Sequence, residues 1–204
     1  MIQRLLPFLS LIILFVALSI ASPHFLTSTN LSSVVRQTAV INIMALGMTM
    51  IIIAGGIDLS VGAILAMGGL LGTMSMEKGA SILAGVLVGV ITGLACGLIN
   101  GALTTRLRIA PFIVTLGTLG IFRGATLMIS NGLPVHKIPP AFSFLGEGNI
   151  LGVPFVLWLL VGCALLTHLT LEHTRLGRYA FAIGSNTDAA VPVSQAFPPV
   201  MSGA

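Results

Sequence analysis

The stretch ASILAGVLVGVITGLACGLINGAL, residues 80–103, decides what kind of molecule this is. It carries no charged residue. Roughly 20 apolar residues wound as an α-helix suffice to cross the hydrocarbon of a bilayer, so the stretch reads as a membrane-spanning helix. Within it Gly85, Gly89, Gly93, Gly97 and Gly101 recur at every fourth position, which places all five on one slowly turning helix face. In water each glycine would cost a helix about 1 kcal/mol relative to alanine. In lipid the same row lets a second backbone come close, so these glycines are read as a helix-packing face. A smooth wall beside a translocation path is compatible with the same pattern.

Outward from this helix, uncharged or nearly uncharged runs recur at Leu5–Ile20, Thr38–Ala54, Val61–Met76, Pro111–Ile129 and Val153–Leu171. The composition is 56% hydrophobic and 7% charged, against about a quarter charged in soluble domains. The expected fold is therefore all-α: a polytopic transmembrane helical bundle of about six spans, with the lipid bilayer as solvent. A basic start and a small-residue end give the first run some character of a cleavable signal, but with further spans close behind it is read as a retained anchor. Arg123 lies near the far end of its run, where its side chain can snorkel outward. Residues Asn131–Gly152 hold Pro134, Pro139, Pro140 and several glycines. That density of breakers predicts an extramembrane loop without a helix. Cys96 and Cys163 sit inside apolar runs at no metal or disulfide spacing and are read as small packing residues.

Charge placement bears on orientation. With a cytoplasmic N-terminus, alternate crossing puts Arg4, Arg106, Arg108, Arg175 and Arg178 inside and Arg36, Lys78 and Lys137 outside. The basic excess lies on the inner side and abuts the helix ends, which favours that orientation. No basic cluster stands beside aromatic residues, so no nucleic-acid partner is expected. There is no phosphate-cradling loop ending in Lys-Ser or Lys-Thr and no hydrolytic signature. No catalytic residue, cofactor or metal site is assigned, since His24, His136, His168 and His173 do not fall at metal-ligand spacing. If transport needs energy, a partner or a gradient has to supply it.

The most informative polar residue is Asp58, set between two runs in Gly55-Gly56-Ile57-Asp58-Leu59-Ser60. An acid among glycines marks either a broken or re-entrant helix beside a translocation path, with Ser60 and Asn42 as further polar lining, or a capping residue whose charge suits the following helix N-terminus. A coupling-ion site is the third reading, weakened because no second carboxylate lies within a span.

Three stretches together resemble the ribose-type permeases of ABC importers. They are Gly55 to Gly62; Asn100-Gly101 through Arg106 to Pro111-Phe112-Ile113-Val114-Thr115-Leu116-Gly117-Thr118; and Leu176-Gly177-Arg178-Tyr179-Ala180-Phe181-Ala182-Ile183-Gly184-Ser185-Asn186. The resemblance implies a bacterial inner-membrane subunit that pairs with a second permease copy or homologue. It further implies sugar delivered by a periplasmic sugar-binding protein and power from a cytoplasmic ATP-binding subunit. It places Leu176, Gly177, Arg178, Tyr179, Ala180, Ile183, Gly184 and Asn186 in the segment that couples to that ATPase. Residues 1–190 then form the permease domain. Residues 191–204, with Pro192, Pro198 and Pro199 and no charge, depart from the family pattern and are expected to be a frameshifted or prematurely stopped ending. An ion-coupled secondary transporter and a non-transporting membrane scaffold are the competing readings; sensitivity of uptake to an uncoupler at constant ATP distinguishes the first of them.

Overall fold

A computed structural model describes residues 2–185 of the chain; Asn186 and the 191–204 tail lie outside the described residues. Along it run α1 (Ile2–Ala21), α2 (Ser28–Ile53), α3 (Val61–Glu77), α4 (Ile82–Arg106), α5 (Pro111–Ser130) and α6 (Pro140–Glu147). A two-residue antiparallel pair follows, β1 (Asn149–Ile150) with β2 (Val153–Pro154), and then α7 (Phe155–His173) and α8 (Arg175–Ser185). Four of these, α2, α4, α5 and α7, are long and apolar enough to cross a membrane, and α3 and the apolar part of α1 (Leu6–Ala21) are shorter. The expected six spans thus correspond to four full-length and two short apolar helices.

Local chemistry sets the helix ends. Thr27 Oγ1 accepts from the Asn30 N–H at 3.3 Å and Ser81 Oγ from the Ala84 N–H at 3.2 Å, each satisfying an orphan amide of a first turn. Proline opens α5 and α6, where a missing N–H costs nothing. Two boundaries differ from expectation. Helix α2 starts ten residues before Thr38, because Arg36, which looked like a loop charge, donates through Nη2 to Glu147 O at 2.7 Å and Asn149 Oδ1 at 3.1 Å. A guanidinium held through two such bonds does not end a helix, even with its Nε buried and without a partner among the described residues. The stretch read as a helix-free loop contains α6, nucleated by Pro140 at its first position and tied to α7 by a Phe144–Phe155 ring pair 5.5 Å apart.

The bundle is built inside out relative to a soluble protein. Large apolar side chains such as Leu98 (74% exposed) and Leu166 (66%) point away from it, as lipid-facing residues do. The buried positions are mostly small or polar: Ala39, Ala63, Gly68, Gly72, Cys96, Ser60, Asn100, Thr115 and Thr118, with Met76, Val114, Phe122 and Val156 as the larger ones. Helix α3 packs against α4 and α5, and α2 packs against α7 and α8.

The seam between α3 and α4 is lined by glycine on both sides. A methyl group at Gly72 would lie 2.7 Å from Gly85 O, and one at Gly68 would lie 2.9 Å from Gly89 O. Reciprocally, methyls at Gly85 and Gly89 would meet Gly72 O at 2.9 Å and Gly68 O at 3.1 Å. Backbone therefore rests on backbone, close enough for Cα–H···O contacts. The five-glycine face is used over half its length: Gly93 meets only Ile64 at 3.8 Å, and Gly97 and Gly101 have nothing within 4 Å. The matching pair on α3, Gly68 and Gly72, carries the same four-residue spacing and was not singled out in the sequence.

Candidate functional site at a broken helix

Helix α2 ends where glycine allows it to. Gly55 has φ +79°, in the left-handed region, and its N–H donates to Ile52 O at 2.9 Å, while the Gly56 N–H donates to Ile51 O at 2.9 Å. This pair of bonds is the Schellman closure of a helix C-terminus. It leaves the Ile53 carbonyl outside the pattern. The chain then runs as a strap through Ile57 to Ser60 before α3 begins.

Each polar group on that strap is held by a neighbour. Asp58 Oδ1 accepts from the Ser60 N–H at 2.7 Å and from the Ser60 hydroxyl at 2.6 Å, an Asx-type turn. Ser60, 0% exposed, has its hydroxyl proton committed to Asp58, so its oxygen accepts from Asn100 Nδ2 at 2.8 Å. Asn100 Oδ1 is buried and has no partner among the described residues. Thr115 Oγ1 lies 3.1 Å from Ile57 O and 2.9 Å from Pro111 O, one proton shared between two carbonyls. A methyl at Gly56 would lie 3.8 Å from Pro111 Cβ, so the strap also rests on the first residue of α5.

The sequence raised Asp58 as a direct cap of α3. The structure gives that place to Ser60, whose carbonyl takes the first helical bond from the Ile64 N–H at 2.9 Å. Asp58 stands two residues too early to reach the orphan amides of the first turn, so it anchors the cap residue instead. Gly55, Gly56, Asp58 and Ser60 are thus brought together. Asn42 is not: it is exposed on α2, remote in sequence from the strap. Asn100 and Thr115, which complete the cluster, lie in the stretches that carry the family resemblance, where no spacing marks them as site residues. Only their buried polarity inside apolar runs could have signalled a role.

The segment after α7 reaches the same place. Thr174 breaks the chain between α7 and α8 with extended backbone, and its Oγ1 accepts from the Gly177 N–H at 3.4 Å. Gly177 is buried against the Leu171 carbonyl. Tyr179 and Ala180 are half-buried, whereas Leu176, Arg178, Phe181 and Ile183 are exposed. At the far end of α8, Gly184 lies against the Ile53 carbonyl so closely that a methyl there would collide with it, and that methyl would also lie 3.4 Å from Gly55 N. The helix therefore presents one side to the end of α2 and the other outward. Exposed Arg178 stands among exposed apolar residues of this helix, a mixture that suits a protein surface better than hydrocarbon.

Comparison with known proteins agrees with this architecture. Residues 30–193 match the family described as branched-chain amino acid transport system / permease component. The ribose import permease protein RbsC of Bacillus subtilis is 42% identical over 191 residues, 93% of this chain and 59% of that protein. The ribose import permease protein of Escherichia coli is 37% identical over 185 residues, 89% of this chain and 58% of that protein. The L-arabinose transport system permease protein of the same organism is 36% identical over 178 residues, 87% of this chain and 54% of that protein. The chain thus spans less than two thirds of the length of these relatives. No solved structure matches it. With its family match covering most of the sequence, the chain belongs to the branched-chain amino acid transport system / permease component family.

Proposed function

We propose that this chain forms the translocating part of an ATP-driven monosaccharide importer in the bacterial inner membrane. Its relatives named for ribose and arabinose put a pentose or a closely related sugar first among substrates. The observation that carries the reading is α8: an exposed amphipathic helix that follows the last long span and packs onto the end of α2 where the polar strap begins. In this reading α8 faces the cytoplasm and docks an ATP-binding subunit. A second permease subunit completes the pathway, and a periplasmic sugar-binding protein delivers substrate to the opposite side. The N-terminus is then cytoplasmic. The chain's own part is mechanical: rigid helices move when nucleotide closes the ATPase, and the sugar meets no reacting group.

The test is retention. The chain in detergent, mixed with a purified ATP-binding subunit of a ribose importer, is expected to hold it on an affinity column. Leu176→Asp, on the exposed side of α8, should reduce retention by at least about tenfold, one decade being about 1.4 kcal/mol. Failure of the unaltered chain to retain any such subunit would sink the reading.

A further inference from the structure

We infer that Gly184 is a positioning residue through which α8 drives the Ile53–Ser60 strap. The inference rests on the proposed docking role of α8 and adds to it the route of transmission. Helix α8 is fixed at one end by Thr174 and buried Gly177, and its other end bears on α2. Ten residues of helix between Thr174 and Gly184 give a lever of about 15 Å.

The tip of that lever meets backbone. At Gly184 no side chain intervenes, so the helix bears directly on the Ile53 carbonyl, with Gly55 close enough beside it that a methyl there would lie 3.8 Å from Gly184 Cα. A flexible side chain would absorb a small displacement by changing rotamer, whereas two backbones in contact cannot. Moreover, Ile53 is the carbonyl left outside the Schellman pair, and Gly55 is the left-handed residue on which that pair depends. A push at this point acts on the hinge of the turn.

The far end of the strap is anchored to a different group of helices. Ile57 O is held by Thr115 of α5, and Ser60 by Asn100 of α4. Movement of α8 therefore converges on the strap between the α2–α7–α8 group and the α3–α4–α5 group. The first bond in line is that of Thr115 with Ile57 O, followed by those of Asp58 with Ser60 and of Ser60 with Asn100.

Amide hydrogen exchange of the chain in lipid nanodiscs tests this. Gly184→Val is expected to speed exchange at Gly55, Gly56 and Ser60 about tenfold, the mark of a local opening. Exchange across the Gly68–Gly89 seam should not change, and Ser185→Ala should change neither region. Equal exchange at the strap in Gly184→Val and the unaltered chain would overturn the inference. A second measurement uses the unaltered chain: adding the ATP-binding subunit should shift exchange at Ser60, and no shift despite binding would also overturn it. Gly184→Val should still retain the subunit while Ser60 no longer responds; loss of retention would make Gly184 a docking residue and refute its positioning role. If the unaltered chain binds no ATP-binding subunit, the proposed function fails, and the nanodisc comparison still decides the mechanical link.

Discussion

Helix α3 is held along its middle and at its start by different chemistry. Over Gly68 and Gly72 it meets α4 without side chains, carbonyl against glycine. At its start, Ser60 is gripped by Asp58 and Asn100, and the strap before it by Thr115. In water both regions would be secured mainly by burying apolar surface. Lipid removes that drive, since a leucine is as comfortable against an acyl chain as against another leucine. What remains is close packing where side chains are absent and hydrogen bonding where polar groups would otherwise face hydrocarbon, and α3 uses the first along its middle and the second at its start. The glycine seam tolerates no added atom, whereas the polar strap can exchange one partner for another. That contrast assigns rigidity to the first and movement to the second.

The contrast is open to attack. Gly72→Leu should be the most damaging change, since its first added carbon would already lie 2.7 Å from Gly85 O; the cost is expected to be about 3 kcal/mol in reversible unfolding from mixed micelles. A cost near zero would show the seam to be loose. Asn100→Leu should follow, at about 1.5 kcal/mol, because it removes the Asn100 donor to the Ser60 oxygen. A double-mutant cycle with Ser60→Ala should return a coupling of about 1 kcal/mol, and strict additivity would deny that the bond contributes. Thr115→Val should cost less, about 0.6 kcal/mol, since one proton there is shared between two carbonyls. Gly97→Ala, on the open half of α4, should stabilise the chain by up to about 1 kcal/mol. Destabilisation there would mean that the open half is packed after all.

The sequence made the bundle legible because hydrocarbon imposes one requirement, satisfied backbone along each apolar run, and that requirement shows as run length. Its register was harder to see. The four-residue repeat from Gly85 to Gly101 identified a face, but which half of it is covered depends on where Gly68 and Gly72 fall across the seam. Asp58 was legible as an acid at a helix break. Its capture of Ser60 is local, but the bond from Asn100, forty residues onward, follows from the crossing of α3 and α4, which no local pattern records. The missed helix α6 had a local signal in Pro140 at a first-turn position, outweighed by the prolines and glycines around it. Likewise Arg36 read as a boundary because its acceptors, Glu147 O and Asn149 Oδ1, lie more than a hundred residues away.

The glycine seam also works as a key. Sliding α4 along α3 by one residue would set Ala84 or Val86 in the place of Gly85, opposite a carbonyl that leaves no room for a methyl. Slides of one, two or three residues are blocked in the same way, and only a full four-residue step along the glycine repeat would bring glycine back to those carbonyls, so the pair behaves like a spline in its slot. Breathing of the molecule has to be found in the joints around that fixed piece.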